Sequence, residues 1–448
     1  METKALTADV SKPSTFRIVI APDKFKGSQS APEVCSHLEK GLRRGAGGNL
    51  EVVRIPVADG GEGTLDAAVG SGFTRRTATV TGPTGQPVDA DFAVRGHEAV
   101  IEMATASGLA LVPRTSKGGR PDSAAATTAT SLGTGQLILA ALDAGCRRIV
   151  LGVGGSANTD GGAGLLQGLG ARFLDSRNNE LPPGGAALAN LHSIDFTHFE
   201  PRLVDTRFVL ASDVDNPLLG AQGAAAVFGP QKGATPQDVG TLDAALARLV
   251  EVLAREIGFR AVKAAEAPRA GAAGGVGFAA IAVLAATQRP GIDVVLEFTG
   301  LADRLAGADL VITGEGSLDE QSLLGKTPVG VARAAAAKGI PVIAVCGRTS
   351  LKPEHQQVAG FRHVYSLTSI EPSMEVCIAE AGSLLERLGQ QLGTQLSKPI
   401  TASGSLGSSD VFRHPYQFAD RSAPERTSAD PKRALLVVAP PNPHARSR

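Results

Sequence analysis

Apolar positions along the chain keep two rhythms. The run "FRIVIA" (16–21) is almost unbroken, as in a strand buried on both faces, and after it Val34, Leu38 and Leu42 recur four apart, as on one side of a helix. Ser30, with Glu33 three residues on, supplies a capping box for that helix, and "EVVRIPV" (51–57) returns to strand. The chain therefore opens strand, helix, strand. The alternation comes back late, with "ADLVITG" (308–314), a helix over 327–338, "PVIAVCG" (341–347), "RHVYSL" (362–367) and a last helix over 373–392. Between these ends the pattern changes to short β-rich runs over 74–103, an alanine- and threonine-rich segment near 124–130, a helix over 134–144 and a glycine-rich loop.

The fold class predicted is α/β, with two α/β domains. One is discontinuous, built from residues 16–79 and 291–392, and the second is inserted over 80–290. Residues 1–15 and 393–448 keep neither rhythm and are expected to be disordered ends; "RALLVVA" (433–439) is the only strand-like run beyond Gly393.

Charge narrows the partners. Forty-four basic and 44 acidic side chains cancel, so no global field draws the chain to nucleic acid or to an anionic membrane. Four cysteines, at 35, 146, 346 and 377, lack metal-ligand spacing, and the N-terminus lacks an apolar leader. A reduced, cytoplasmic setting is expected. Glycine is high, at 54 of 448 residues, and it collects where strands end. That points to ligand loops.

Four such loops carry the candidate chemistry. "GVGGSANTDGGAG" (152–164) follows a strand and leads into a helix, an arrangement that offers free backbone N–H groups to an anion; Gly154, Gly155, Ser156 and Asn158 are the candidates. It is not G-x-G-x-x-G, because Ala157 stands at the third glycine. "VITGEGSLDEQSLLGKTP" (311–328) again follows an apolar strand and holds Glu315 and Asp319 four apart, an oxygen-only pair suited to Mg²⁺, with Gly314, Gly316 and Lys326 beside them. Gly325-Lys326-Thr327 resembles the end of a P-loop motif, but Glu320 replaces its first glycine. "VADGGEGT" (57–64) adds Asp59 and Glu62, and "ASDVDNPLLG" (211–220) adds Asp213. Turn chemistry alone explains any one of these loops. Four at strand ends are what an α/β ligand site collects. Lys24 and Lys26 in "APDKFKGS" and Lys232 in "FGPQKGATP" are the candidate cations, and no Ser-His-Asp or zinc arrangement stands out among the eight histidines.

Taken together, "IAPDKFKGS", "VADGGEGT", "IEMATASGL", "GTGQLI", "GGSANTDGGAG", "ASDVDNPL", "FGPQKGA" and "TGEGSLDEQSLLGK" resemble, in order, the bacterial glycerate kinase family, of the type that contains glycerate 2-kinases. The resemblance spans about residues 16 to 390. It implies a two-domain α/β fold unrelated to P-loop kinases. It also implies transfer of the γ-phosphoryl group of ATP to D-glycerate with Mg²⁺, the 2-phosphoglycerate product being favoured over 3-phosphoglycerate. One departure stands out: the family commonly reads Ser-Ala-Thr-Asn-Asp where this chain has Ser156-Ala157-Asn158-Thr159-Asp160.

For such a reaction the expected roles follow the loops. Gly154, Gly155 and Ser156 donate to phosphate, Asn158, Gly314, Gly316 and Lys326 complete the nucleotide contacts, and Glu315 and Asp319, with Asp59 and Glu62, manage Mg²⁺. Lys26 and Lys232 neutralise substrate charge, and Asp213 is the base, with Asp160 as the second choice. The expected partner is D-glycerate, without nucleic acid or membrane, and a homodimer is left open. Two other classes remain. A nicotinamide-dependent hydroxy-acid dehydrogenase needs G-x-G-x-x-G after its first strand, where this chain reads "APDKFKG", and a metabolite sensor needs the loops to bind without their carboxylates mattering.

Overall fold

A computed structural model describes residues 15–48, 50–113, 121 and 123–396. The segments 1–14 and 397–448, where disordered ends are expected, lie outside the described residues. In chain order the strands are β1 (Phe16–Pro22), β2 (Leu50–Arg54), β3 (Thr74–Thr81), β4 (Pro87–Arg95), β5 (Glu98–Glu102), β6 (Arg148–Gly152), β7 (Arg172–Leu174), β8 (Ser193–Asp195), β9 (Arg207–Ala211), β10 (Thr287–Arg289), β11 (Leu310–Leu318), β12 (Val342–Thr349) and β13 (His363–Ser366).

Strands from the two ends of the sequence form one five-stranded parallel sheet, in the order β13-β12-β11-β1-β2. Strand β11 is its centre, and β1, held between β11 and β2, buries Ile18, Val19, Ile20 and Ala21 on both faces, as the unbroken apolar run requires. The middle of the chain forms a six-stranded sheet, β10-β9-β6-β5-β4-β3, parallel from β10 to β5 and antiparallel over β5-β4-β3. A two-stranded ribbon, β7-β8, stands apart from both. The α/β class with a discontinuous and an inserted part is therefore borne out. The six-stranded sheet takes up the chain at Thr74, ahead of the residue 80 boundary expected, because β3 pairs with β4 along its whole length.

Helix Ala31–Ala46 starts at the expected box: Glu33 Oε2 accepts the Ser30 N–H at 2.8 Å, and Val34, Leu38 and Leu42 are buried. It packs along the last helix, Ala381–Leu396, where Gly41 and Gly45 meet Gly389 and Gly393. A Cβ at Gly41 would lie 2.2 Å from the carbonyl oxygen of Glu386. This backbone contact ties the start of the chain to its end.

Two expectations change. The last helix of 373–392 is two helices, Met374–Ala379 and Ala381–Leu396, and the second continues through Gly393 to Leu396 because its apolar stripe of Leu384, Leu385, Leu388 and Leu392 is still buried there. Strand β11 runs on past Gly314 to Leu318, since Glu315, Ser317 and Leu318 pair with Cys346, Arg348 and Thr349 of β12. Glu315 thus stands on a strand, where it is held more rigidly than on a loop.

Helices Thr64–Gly70, Gly291–Phe298 and Thr327–Ala336 fill the space between the sheets. Val19, Ala21 and Val311 of one sheet share a buried cluster with Val100, Val150 and Val209 of the other. The carboxyl ends of the parallel strands in both sheets lead into the candidate loops.

Candidate active site

The loops meet at a seam of bare backbone. A Cβ at Gly154 would lie 2.6 Å from Gly61 Cα, one at Gly60 would lie 2.7 Å from Gly291 Cα, and one at Gly291 would lie 1.9 Å from the Asp59 carbonyl. No side chain fits at these points. The glycines that suggest phosphate binding therefore have a second task, which is to let loops from the two sheets touch.

Two cavities open on this seam. The smaller, about 200 Å³, is lined by Asp59, Gly154, Gly155, Ser156, Asp213 and Lys232 among others. The larger, about 620 Å³, brings together Asp23, Lys24, Lys26, Glu62, Glu315, Gly316, Asp319, Lys326 and Arg348. Asp59, Gly61, Gly154 and Gly155 line both, so the cavities adjoin. Of the residues expected from sequence, Asp160, Asn158 and Gly314 line neither.

Each of those three has a structural task. Asp160 is buried, and its two oxygens accept five hydrogen bonds: from the Ser131 N–H and hydroxyl, both at 2.8 Å, from Gly164 N–H at 3.2 Å, from Asn158 Nδ2 at 2.8 Å and from Gly162 N–H at 3.0 Å. A carboxylate has about four lone-pair sites, so this one has none left for an incoming proton. It staples the glycine loop to the start of helix Leu132–Asp143. Asn158 donates its Nδ2 to Asp160 and the Ala273 carbonyl, while its buried Oδ1 has no hydrogen-bond partner. Gly314 lies inside the sheet, where a Cβ would meet the Val345 carbonyl at 1.9 Å.

Lys232 departs furthest from an ordinary surface lysine. It is 2% exposed, and its Nζ donates to the Ser156 hydroxyl at 3.0 Å and to the Asn158 carbonyl. Burial pulls its pKa down to about 7, with Asp160 opposing. Asp213 accepts the Gly291 N–H at 2.7 Å. Desolvation by the flanking loops pushes its pKa up to about 7, the Gly291 bond and Arg269 oppose, and the charges of Asp59 and Asp293 add to the rise. Solvent reaches this side chain, which works against the shift.

The larger cavity holds crowded acids. Desolvation pushes Glu315 up to about 7, with Asp23 and Asp319 adding to the rise, and its buried Oε1 has no hydrogen-bond partner. Asp23 is likewise raised by burial, to about 6; Lys24 and the Thr327 hydroxyl, which donates to Asp23 at 2.8 Å, work against this. Thr327, the last residue of the P-loop-like triplet, thus serves Asp23. Asp319 caps the turn after β11 by accepting the Gln321 N–H at 2.9 Å. Lys24 Nζ donates to the Glu62 carbonyl at 2.6 Å, while Lys26 and the Glu62 side chain stand exposed at the rim.

A family model described as the glycerate kinase family matches residues 18–397. The chain belongs to the glycerate kinase family. Glycerate kinase of Bacillus subtilis (strain 168) is 42% identical over 386 residues, which are 85% of this chain and 98% of that one. Glycerate 2-kinase of Escherichia coli (strain K12) is 44% identical over 335 residues, 74% of this chain and 85% of that one. A crystal structure assigned to glycerate kinase 2 of Salmonella typhimurium LT2 matches with a TM-score of 0.72 at 40% identity, covering 86% of this chain and 98% of that chain. The sequence resemblance is borne out.

Within this glycerate kinase family chain, three site residues escaped the sequence reading. Asp23 sits in the quoted "APDKFK" beside the lysines that drew attention, and Arg348 follows an apolar strand with no acidic neighbour to mark it. Glu102 is buried beneath the seam, where its Oε2 accepts the N–H groups of Gly63 at 3.1 Å and Leu65 at 3.2 Å. Its signal was an acid at the end of the apolar run "AVIE". Among the described residues no helix is long and apolar enough to cross a membrane.

Proposed function

We propose that the protein is an ATP-dependent glycerate kinase that phosphorylates the 2-hydroxyl of D-glycerate, with nucleotide in the larger cavity and glycerate in the smaller. The adjoining of the two cavities at Gly154, Gly155 and Asp59 carries this reading, because in-line transfer needs donor and acceptor at one point. About 200 Å³ suits a three-carbon acid, and about 620 Å³ lies within the range of nucleotide-sized pockets. Lys24, Lys26, Lys326 and Arg348 give the larger space the cations a triphosphate needs, and Met374 with Ile378 supplies an apolar wall for the base.

The glycerate hydroxyl oxygen attacks the γ-phosphorus, the bond to ADP breaks, and the hydroxyl proton passes to Asp213. Desolvation and the nearby Asp59 and Asp293 carboxylates raise the Asp213 pKa above the ordinary aspartate value, which brings it closer to the range a general base needs for that transfer. Gly154, Gly155 and the Ser156 hydroxyl receive the moving phosphoryl oxygens, while Lys232 fixes Ser156 from behind and places a cation next to it. Asp160 acts through the loop as a positioning residue, in place of the proton-accepting role expected as second choice.

Mg²⁺ fits the donors of the larger cavity. Glu315 offers a buried oxygen without a partner, and Asp319, Asp59 and Asp23 line the same space. Among the described residues no group of three or more metal-ligating side chains cages an ion, which suits a cation that keeps water and phosphate oxygens in its shell. Glu315 and Asp319 would hold it, with Asp59 on the acceptor side and Glu62 at the rim; when bound it neutralises charge on the β- and γ-phosphates.

The name of the Escherichia coli relative supports the 2-hydroxyl. A ³¹P spectrum of the product made from D-glycerate and ATP tests both levels. The 2-phosphoglycerate resonance is expected. A spectrum of 3-phosphoglycerate alone overturns the regiochemistry, and turnover of NAD(H) without loss of ATP overturns the kinase.

A further inference from the structure

A third cavity, about 780 Å³, lies at the opposite strand ends and shares no lining residue with the two at the seam. It lies beside the amino-terminal ends of β6, β9 and β10, with Arg148, Arg207 and Thr287 at its wall. Strand β10 pairs only with Val209 to Ala211, so among the described residues Arg207 and Phe208 have a strand neighbour on one side alone, and the cavity occupies the other. Its floor is apolar: Phe196 and Phe199 stack edge to face at 5.2 Å, and Leu203, Ile257 and Val283 complete it.

Charge decides what fits. Arg148 and Arg289 are already neutralised, both by Glu297 and the first also by Glu98. Arg207 and Arg260 have no carboxylate partner among the described residues, and Arg207 lies in register with Arg148 on the next strand. The acid in the lining, Glu200, is taken by Arg202 at 2.7 Å. Two free guanidinium groups over an aromatic floor match a carboxylate, sulfonate or phosphate carried on an apolar body. We propose that this cavity is a second ligand site, specific for a small organic anion with an apolar aromatic or aliphatic body.

The test uses two fluorescent probes that differ by one charge, 8-anilinonaphthalene-1-sulfonate and its uncharged parent N-phenyl-1-naphthylamine, on the full chain with ADP and glycerate at saturation so that the seam is filled. One saturable sulfonate site per chain is expected, with the neutral probe bound about tenfold or more weaker. Arg207→Gln with Arg260→Gln should raise the Kd of the sulfonate about tenfold or more and leave kinase turnover unchanged. Equal binding of the two probes, an unaltered Kd in the double variant, absence of saturable binding, or a sulfonate site seen only when ADP and glycerate are left out each overturns the proposal. So does loss of the probe site as the chain self-associates, which would make a second copy the occupant; sedimentation at rising concentration reads that outcome.

Discussion

The glycine loop (152–162) and the segment 314–326 line one cavity, yet they are finished to different degrees. In the first, Asp160 satisfies five donors, Lys232 is buried against Ser156, and the loop leans on Gly61 through bare backbone; the buried atoms without a partner there, Asn158 Oδ1 and Thr159 Oγ1, carry no charge. In the second, Glu315 holds an oxygen without a partner beside Asp23 and Asp319, and Lys326 and Arg348 face open space. The acceptor side has its buried charges matched in advance; on the nucleotide side they are matched by what binds. A trivalent or tetravalent anion with its cation supplies the charges the second region lacks, which is how a kinase avoids holding a finished phosphate site empty.

The sharpest way to break this contrast is to unstaple the first region. Asp160→Ala leaves several buried donors without an acceptor and should lower stability by about 3 kcal/mol or more, with loss of turnover, in urea titrations. Asp319→Ala in the second region should change stability by about 1 kcal/mol or less. Equal losses would erase the distinction. Next in size is Asp213→Asn, expected to lower kcat about 10²-fold or more while leaving the melting temperature close to the parent's. Normal turnover in that variant removes Asp213 as the base.

Glu315→Gln separates function from stability more gently. It should lower kcat/KM for ATP about tenfold or more at limiting Mg²⁺, while stability holds or rises because a desolvated carboxylate is gone. A marked drop in stability would show that Glu315 belongs to the scaffold. A test of another kind, read against pH, concerns Lys232. Its folded pKa, near 7, lies below the unfolded 10.5, so between those values the folded chain binds fewer protons here than the unfolded one. Stability relative to Lys232→Met should therefore rise with pH from about 7 to 10.5 and be flat below 7, as melting curves across that range would show. A constant difference would mean that the amine is not desolvated.

The sequence made much of this legible, for reasons that differ by element. Period and capping place the first helix at its true start, because Ser30 and Glu33 interact within one turn. The discontinuous sheet shows through two separate runs of buried-strand pattern, although their pairing as β1 with β11 is a contact between residues almost 300 apart in sequence. Side-chain burial was not legible: Lys232 and Lys26 both sit in glycine- and proline-rich company, and the structure buries the first and exposes the second. Nor was the split among aspartates. Asp160 and Asp213 both follow strands, and the distant donors that tell them apart, two from Ser131 completing the five on Asp160 and a single one from Gly291 on Asp213, are not marked in the local sequence.

The account's central claim is that donor and acceptor meet where Gly154, Gly155 and Asp59 line both cavities. A crystal structure with ADP, Mg²⁺, a planar phosphoryl mimic and D-glycerate tests it most directly. The account predicts the diphosphate among Lys24, Lys326 and Glu315, the mimic at Gly154 and Gly155, and the glycerate 2-hydroxyl within hydrogen-bond reach of Asp213. A nucleotide bound away from both cavities, or a glycerate hydroxyl turned away from Asp213, would contradict it.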